Sequence, residues 1–197
     1  MTPLAQYKKA MNLILKQGRQ RGDAECRALL EQASASNYAP AQYALATWFL
    51  FGCGVKKDLR RGALPLKKAA RAGLGSAQYD LAVCYEKGAG VRCSPSMAFK
   101  LYQEAAEAGD CQAAAEVARC YCYGIGTRRH LRRAFEWFRK AASRGDVECQ
   151  YSLARAYELG EGCRKNVRDA RTWYRKAALA GDKDAKRAFA DFSSCVP

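Results

Sequence analysis

The chain has 197 residues, 49% of them hydrophobic, and 34 Lys and Arg stand against 19 Asp and Glu for a formal net charge of +15. That composition excludes a disordered segment, because apolar residues are spread evenly and only five are proline. It also excludes a membrane-spanning helix: the longest mostly apolar run, Ala44 to Val55, is broken by Gly52 and Gly54 and falls short of the roughly 18 residues needed.

In chain order, the first stretch, "MTPLAQYKKAMNLILKQG", lacks a basic segment followed by a long apolar run and a small-residue cleavage site. No export signal is read there, and the chain is expected in the cytoplasm. Residues 5–40 then read as a worn copy of a unit that recurs along the rest of the chain: Gly18, Cys26, Leu30 and Ala33 keep its positions, while Lys16 stands where a glycine is expected.

From there a Gly-x-Gly pair recurs at Gly52/Gly54, Gly88/Gly90, Gly124/Gly126 and Gly160/Gly162, each step being 36 residues (88 − 52 = 36). Ala46, Ala82, Ala118 and Ala154 keep the same phase, as do Phe49, Tyr85, Tyr121 and Tyr157. The pattern divides the chain into four units, 41–76, 77–112, 113–148 and 149–184, and Gly73, Gly109, Gly145 and Gly181 close them. Each unit reads as two helices. In "AQYDLAVCYEKG" the residues Ala77, Leu81, Ala82, Cys84 and Tyr85 share one helical face, and the glycine supplies the stop. Asp58, Ser94, His130 and Asn166 open the second helices; Asp, Ser and Asn are good N-caps, and Pro95 suits a first turn. Residues 185–192, "AKRAFADF", read as a lone first helix that covers the last pair, with a tail to 197.

A helix pair of this length cannot bury its apolar stripe alone, so neighbouring pairs must stack. The expected fold is a single all-α solenoid domain of 36-residue helix-turn-helix repeats, with 1–40 and 185–197 as its ends. The stretch "YGIGTRRHLRRAFEWF" has the order of parts of a phosphate-binding loop, but the motif comes four times after a helix, not once after a strand, and lacks the lysine-hydroxyl ending. Its glycines are read as relieving strain in a tight turn.

The pattern A-x-x-x-L-A-x-x-Y-x-x-G-x-G, followed by a capped helix with an aromatic, K-A-A and x-x-G, is similar to the Sel1-like repeat, a relative of the tetratricopeptide repeat. "AQYDLAVCYEKGAGV" and "AFEWFRKAASRGD" carry the likeness best. The resemblance implies a right-handed superhelix whose first helices line a concave face. It also implies a role as adaptor or scaffold in protein complexes; some bacterial members act instead as cognate inhibitors that neutralise a toxin or effector.

On that geometry the third, seventh, tenth and eleventh residues of each unit point into a groove. In the first unit these are Tyr43, Thr47, Leu50 and Phe51, and in the second Tyr79, Val83, Glu86 and Lys87. The third unit offers Ala115, Arg119, Cys122 and Tyr123, and the fourth Tyr151, Arg155, Glu158 and Leu159. Tyr, Phe and Arg anchor binding well, and Leu50, Phe51 and Leu159 are expected to be exposed. Tyr43, Tyr79 and Tyr151 share one phase, so part of each ring is also expected to pack on its neighbour.

The charge excess recurs too. Lys56, Arg92, Arg128 and Arg164 hold one position after the glycines, and Lys57, Arg60, Arg61, Arg129, Arg132, Arg133, Lys165 and Arg168 lie around them. Stacked, they form a basic ridge separate from the groove, which serves either solubility or an acidic protein, with nucleic acid or an anionic surface as the alternative. Bases need aromatics beside the charge, and those are expected on the other face.

The ten cysteines show no recurring pair; Cys84 and Cys120 share a phase, while Cys26, Cys53, Cys93, Cys111, Cys122, Cys149, Cys163 and Cys195 scatter. Secreted cysteine-rich members place a cysteine near the end of every second helix, where this chain has Ala70, Ala106, Ala142 and Ala178. Reduced, mostly core thiols are therefore expected. No metal, cofactor or catalytic set is read: Cys120 and Cys122 point apart on a helix, and the one histidine, His130, sits at a cap among arginines. The sequence is thus read as a non-catalytic scaffold that binds a protein or peptide.

Overall fold

The computed structural model describes residues 1–17, 24–53 and 55–194, and among them every regular element is a helix. The chain forms two compact units, 1–109 and 110–197. The first holds α1 (Pro3–Gln17), α2 (Ala24–Ala35), α3 (Ala39–Phe51), α4 (Leu59–Arg71), α5 (Gly75–Lys87) and α6 (Pro95–Glu107). The second holds α7 (Cys111–Tyr123), α8 (Leu131–Ser143), α9 (Val147–Leu159), α10 (Val167–Leu179) and α11 (Lys183–Ser194). Within each unit every helix packs on its neighbours in sequence, as in an α-solenoid.

Small residues set the spacing. Ala46 and Ala82 in the first unit, and Ala118 and Ala154 in the second, are fully buried, as are Ala69, Ala105, Ala141 and Ala177 on the second helices. Backbones can therefore approach closely, and Tyr102 and Tyr174 fill the space between helices. Cys26, Leu30 and Ala33 of α2 join Ala41 and Trp48 of α3 in one apolar cluster. At the other end Ala185, Phe189 and Phe192 of α11 close over Tyr174. Gly18 and Cys195 lie outside the described residues.

The recurring glycines have two different jobs. Gly88, Gly124 and Gly160 end their helices in the left-handed region, at φ of 69°, 74° and 76°. The second glycine permits contact between repeats: a Cβ on Gly90 would overlap the Leu59 carbonyl oxygen, and one on Gly162 the Leu131 carbonyl oxygen. Gly54 is outside the described residues. The amides that a phosphate would need are already used, since Gly124 and Ile125 both donate N–H to the Cys120 carbonyl.

Each loop then closes in the same way. The N–H groups of Asp58, Ser94, His130 and Asn166 donate to the carbonyls of Phe49, Tyr85, Tyr121 and Tyr157, at 2.8 to 2.9 Å. Asp58 and Asn166 cap their helices through side-chain oxygens, and His130 does so through Nδ1, which accepts from the Arg133 amide at 3.3 Å. Ser94 departs from the expectation. Its hydroxyl lies 3.3 Å from that of Ser96 and caps nothing.

Candidate functional site

The third-position tyrosines are half-buried structural groups. The Tyr43 hydroxyl donates to Asp80 Oδ2 at 2.9 Å. The Tyr79 ring packs on Tyr102 with centroids 5.6 Å apart, and Tyr151 packs on Tyr174 at 5.7 Å. At the seventh position, Thr47 donates to its own helix at the Ala44 carbonyl, Val83 is half-buried, and Arg119 is held by Glu116 at 2.6 Å. Only Arg155 is exposed there, and among the described residues no carboxylate pairs with it.

The tenth position corrects the sequence reading. Leu50, expected to be exposed, is only 7% exposed, because its counterpart on the second helix is Gly62. A Cβ at Gly62 would stand 3.0 Å from Leu50 Cγ, so the glycine makes room for the leucine. Glu86 and Glu158 also turn inward, accepting hydrogen bonds from the hydroxyls of Tyr102 at 2.8 Å and Tyr174 at 2.6 Å. Cys122 is half-buried. The eleventh position alone is exposed throughout: Phe51 at 70%, Tyr123 at 72% and Leu159 at 54%, with Lys87 between them in sequence.

The basic residues Lys56, Lys57, Arg60 and Arg92 are exposed in the first unit, and Lys57, Arg60 and Arg92 border one open depression beside Gly90. Arg128, Arg129, Arg132, Arg164, Lys165 and Arg168 are exposed in the second. The expected separation of ridge from groove fails at one point. Arg129 reaches back and donates its Nε–H to the Cys122 carbonyl at 3.1 Å, so a long side chain from the ridge joins the groove positions.

That junction is a hollow of about 390 Å³ enclosed by α7, α8 and α9. Leu131, Ala134, Phe135 and Phe138 give it an apolar wall, while Tyr123, Arg129, Arg155 and Glu161 supply ring and charge. The sequence reading named Cys122, Tyr123, Arg129 and Arg155 but missed Phe135, Phe138, Ser152 and Glu161. For Phe138 the signal was the loss, in this one repeat, of the tyrosine that the second and fourth hold as Tyr102 and Tyr174; Ser152 and Glu161 come from the fourth repeat and gave no such signal. Two further rings also went unnoticed: Lys140 sits 4.1 Å over Trp137, and Lys176 the same distance over Trp173. Both pairs lie on second helices of the second unit, and neither lysine is one of the expected ridge residues.

Burial, then the Glu161 carboxylate, pushes the Cys122 thiol up, while Arg129 and Arg155 pull it the other way. A thiol held protonated is a poor nucleophile. Among the described residues Cys26, Cys84, Cys120 and Cys149 are buried, Cys53, Cys122 and Cys163 are half-buried, and Cys93 and Cys111 are exposed. Core placement thus holds for fewer than half of the nine, because the others sit at turns and helix ends. Cys93 and Cys163 donate Sγ–H to the carbonyls of Glu86 and Ala156.

A stack of capped helix pairs with a half-open inter-repeat hollow defines an α-solenoid repeat protein. A family model described as the Sel1 repeat matches residues 39–74, 75–110, 111–146 and 147–182, and the chain belongs to that family. Sel1 repeat proteins are generally non-catalytic protein-interaction scaffolds. A search of the curated proteins finds no match. Among solved structures, the chain is similar to a protective antigen present in uropathogenic Escherichia coli strains, with TM-score 0.89 and 26% identity over 95% of this chain. It spans 40% of that antigen's length. A Sel1 repeat protein from Oxalobacter formigenes gives TM-score 0.79 and 29% identity over 93% of this chain and 75% of the other. Cysteine rich protein B of Helicobacter pylori shares the fold, with TM-score 0.52 and 22% identity over 68% of this chain and 96% of the other.

Proposed function

We propose that the chain is a non-catalytic scaffold that binds a partner protein or peptide through the exposed ends of its first helices. One observation carries this reading. The helix pairs bury most of their large apolar groups, but the eleventh position leaves Phe51, Tyr123 and Leu159 in water, in three of the four repeats. Exposed rings at a repeating position cost free energy unless something covers them, and rings are the groups that most often anchor a protein partner. Arg155, which pairs with no carboxylate among the described residues, and Arg129 in the same hollow favour an acidic partner. Family membership agrees with binding in place of catalysis.

The test is capture from the host lysate at low and high salt with nuclease present. A protein retained at high salt and lost when Phe51 and Tyr123 are replaced by Ala supports the scaffold. Binding that vanishes with nuclease, or on replacing Lys56, Arg128, Arg132 and Arg164 with Glu while the ring variants are unaffected, assigns function to the basic residues and overturns it.

A further inference from the structure

The third repeat breaks a pattern that the second and fourth keep, and the break lies at the hollow. In the second repeat Tyr79, Glu86 and Tyr102 form a trio, and in the fourth Tyr151, Glu158 and Tyr174 form the same one. Ring packs on ring, and the second hydroxyl donates to the glutamate. In the third repeat the equivalent positions hold Ala115, Cys122 and Phe138. Phe138 has no hydroxyl to donate, Cys122 no carboxylate to accept, and Ala115 no ring to lay on Phe138. The first repeat also gives up the polar trio, with Leu50 and Leu66, but there both leucines are buried and the site is closed. The third repeat is apolar and open, with Cys122 and Phe138 in the wall of the hollow.

Resting on the scaffold reading above, we propose that this hollow receives an aromatic side chain of a partner protein carried in an acidic segment. The ring enters against Phe135 and Phe138, and flanking carboxylates meet Arg129 and Arg155. An aromatic suits the wall because rings pack edge to face on phenylalanine and accept a guanidinium over the face. Acidic flanks suit the mouth because two guanidiniums face the single carboxylate of Glu161, on a chain of net charge +15. The Arg129 bond to the Cys122 carbonyl holds one of those guanidiniums in place before any ligand arrives.

The experiment pans a displayed random-peptide library on the full chain and measures a fluorescein-labelled copy of the enriched sequence by anisotropy. Enriched peptides are expected to pair an aromatic with neighbouring Asp or Glu. A closing variant, Ala115→Tyr with Cys122→Glu and Phe138→Tyr, rebuilds the trio of the adjacent repeats; its fold is checked by circular dichroism, and it should weaken binding about 30-fold or more, the effect of losing one buried aromatic anchor. Arg155→Glu, an exposed change that leaves folding intact, should weaken it about tenfold. Saturating peptide should also shield Cys122, but not exposed Cys93, from maleimide labelling read by mass spectrometry.

The proposal is overturned if no peptide is enriched, if enriched peptides lack the aromatic-acidic pairing, or if Cys122 labels equally fast with peptide bound. A lysate partner that holds on to both the closing variant and Arg155→Glu overturns this assignment and leaves the scaffold standing. Peptide binding at Cys122 with no lysate partner does the reverse.

Discussion

A single hydroxyl links the two helices of the fourth repeat, where Tyr174, buried between them, donates to Glu158 at 2.6 Å. Replacing Tyr174 with Phe should cost about 1–2 kcal/mol in urea unfolding, at the lower end for a bond to a charged group because half-buried Glu158 regains water. Burial, the hydrogen bond and the Glu158 charge all push the Tyr174 phenol well above its ordinary value of 10. The raised group stays protonated in the folded state, so its contribution is complete below the unfolded value and declines as pH climbs past it. The stability gap between wild type and Tyr174→Phe should therefore shrink once unfolding is measured above about pH 10. Glycine offers a second contrast. Gly145 and Gly162 both have positive φ, but a Cβ at Gly145 meets nothing within 4 Å, whereas one at Gly162 overlaps the Leu131 carbonyl oxygen. Gly145→Ala should cost about 1 kcal/mol from backbone strain alone, and Gly162→Ala at least about 2 kcal/mol more, both read from chemical denaturation.

Helix ends explain why the helix pairs were readable. Asp58 and Asn166 cap by type, and a glycine ends each first helix, so periodicity and punctuation agreed. His130 is the unusual cap: its Nδ1 accepts from the Arg133 amide at 3.3 Å, a long bond from a poor capping type. His130→Asp should stabilise the chain by about 0.5–1 kcal/mol, through a shorter bond and a negative charge at the helix N-terminus, measurable as a shift in urea midpoint. The readable features were local. Ser94 was misread because a neighbouring hydroxyl competes for it, and Leu50 because its exposure depends on Gly62, twelve positions on and in another helix. Phase along a helix tells which face a residue occupies, but not how far an arginine reaches; Arg129 crossed from ridge to groove by its length. The hollow was invisible for a related reason, since it gathers residues of three helices, with Cys122 and Phe138 in its wall where the second and fourth repeats carry Glu and Tyr.

The chain as a whole carries a formal +15, and no helix among the described residues is long and apolar enough to cross a membrane. A charge of that size attracts anions without selecting among them. Non-specific retention of acidic proteins should fall steeply between about 0.15 M and 1 M salt as the screening length contracts from about 8 Å to about 3 Å, while contacts made by a buried ring persist. Comparing capture across that range separates the two contributions. The buried cysteines have a consequence of their own. One buried cysteine lies in each of α2, α5, α7 and α9, namely Cys26, Cys84, Cys120 and Cys149, and burial lifts the thiols of Cys84 and Cys149. A buried, protonated thiol is shielded from alkylating reagents until its own helix opens. The chain therefore carries an internal clock in four of its helices, and a timed pulse of iodoacetamide, read peptide by peptide, would record the order in which the repeats come apart without a single engineered label.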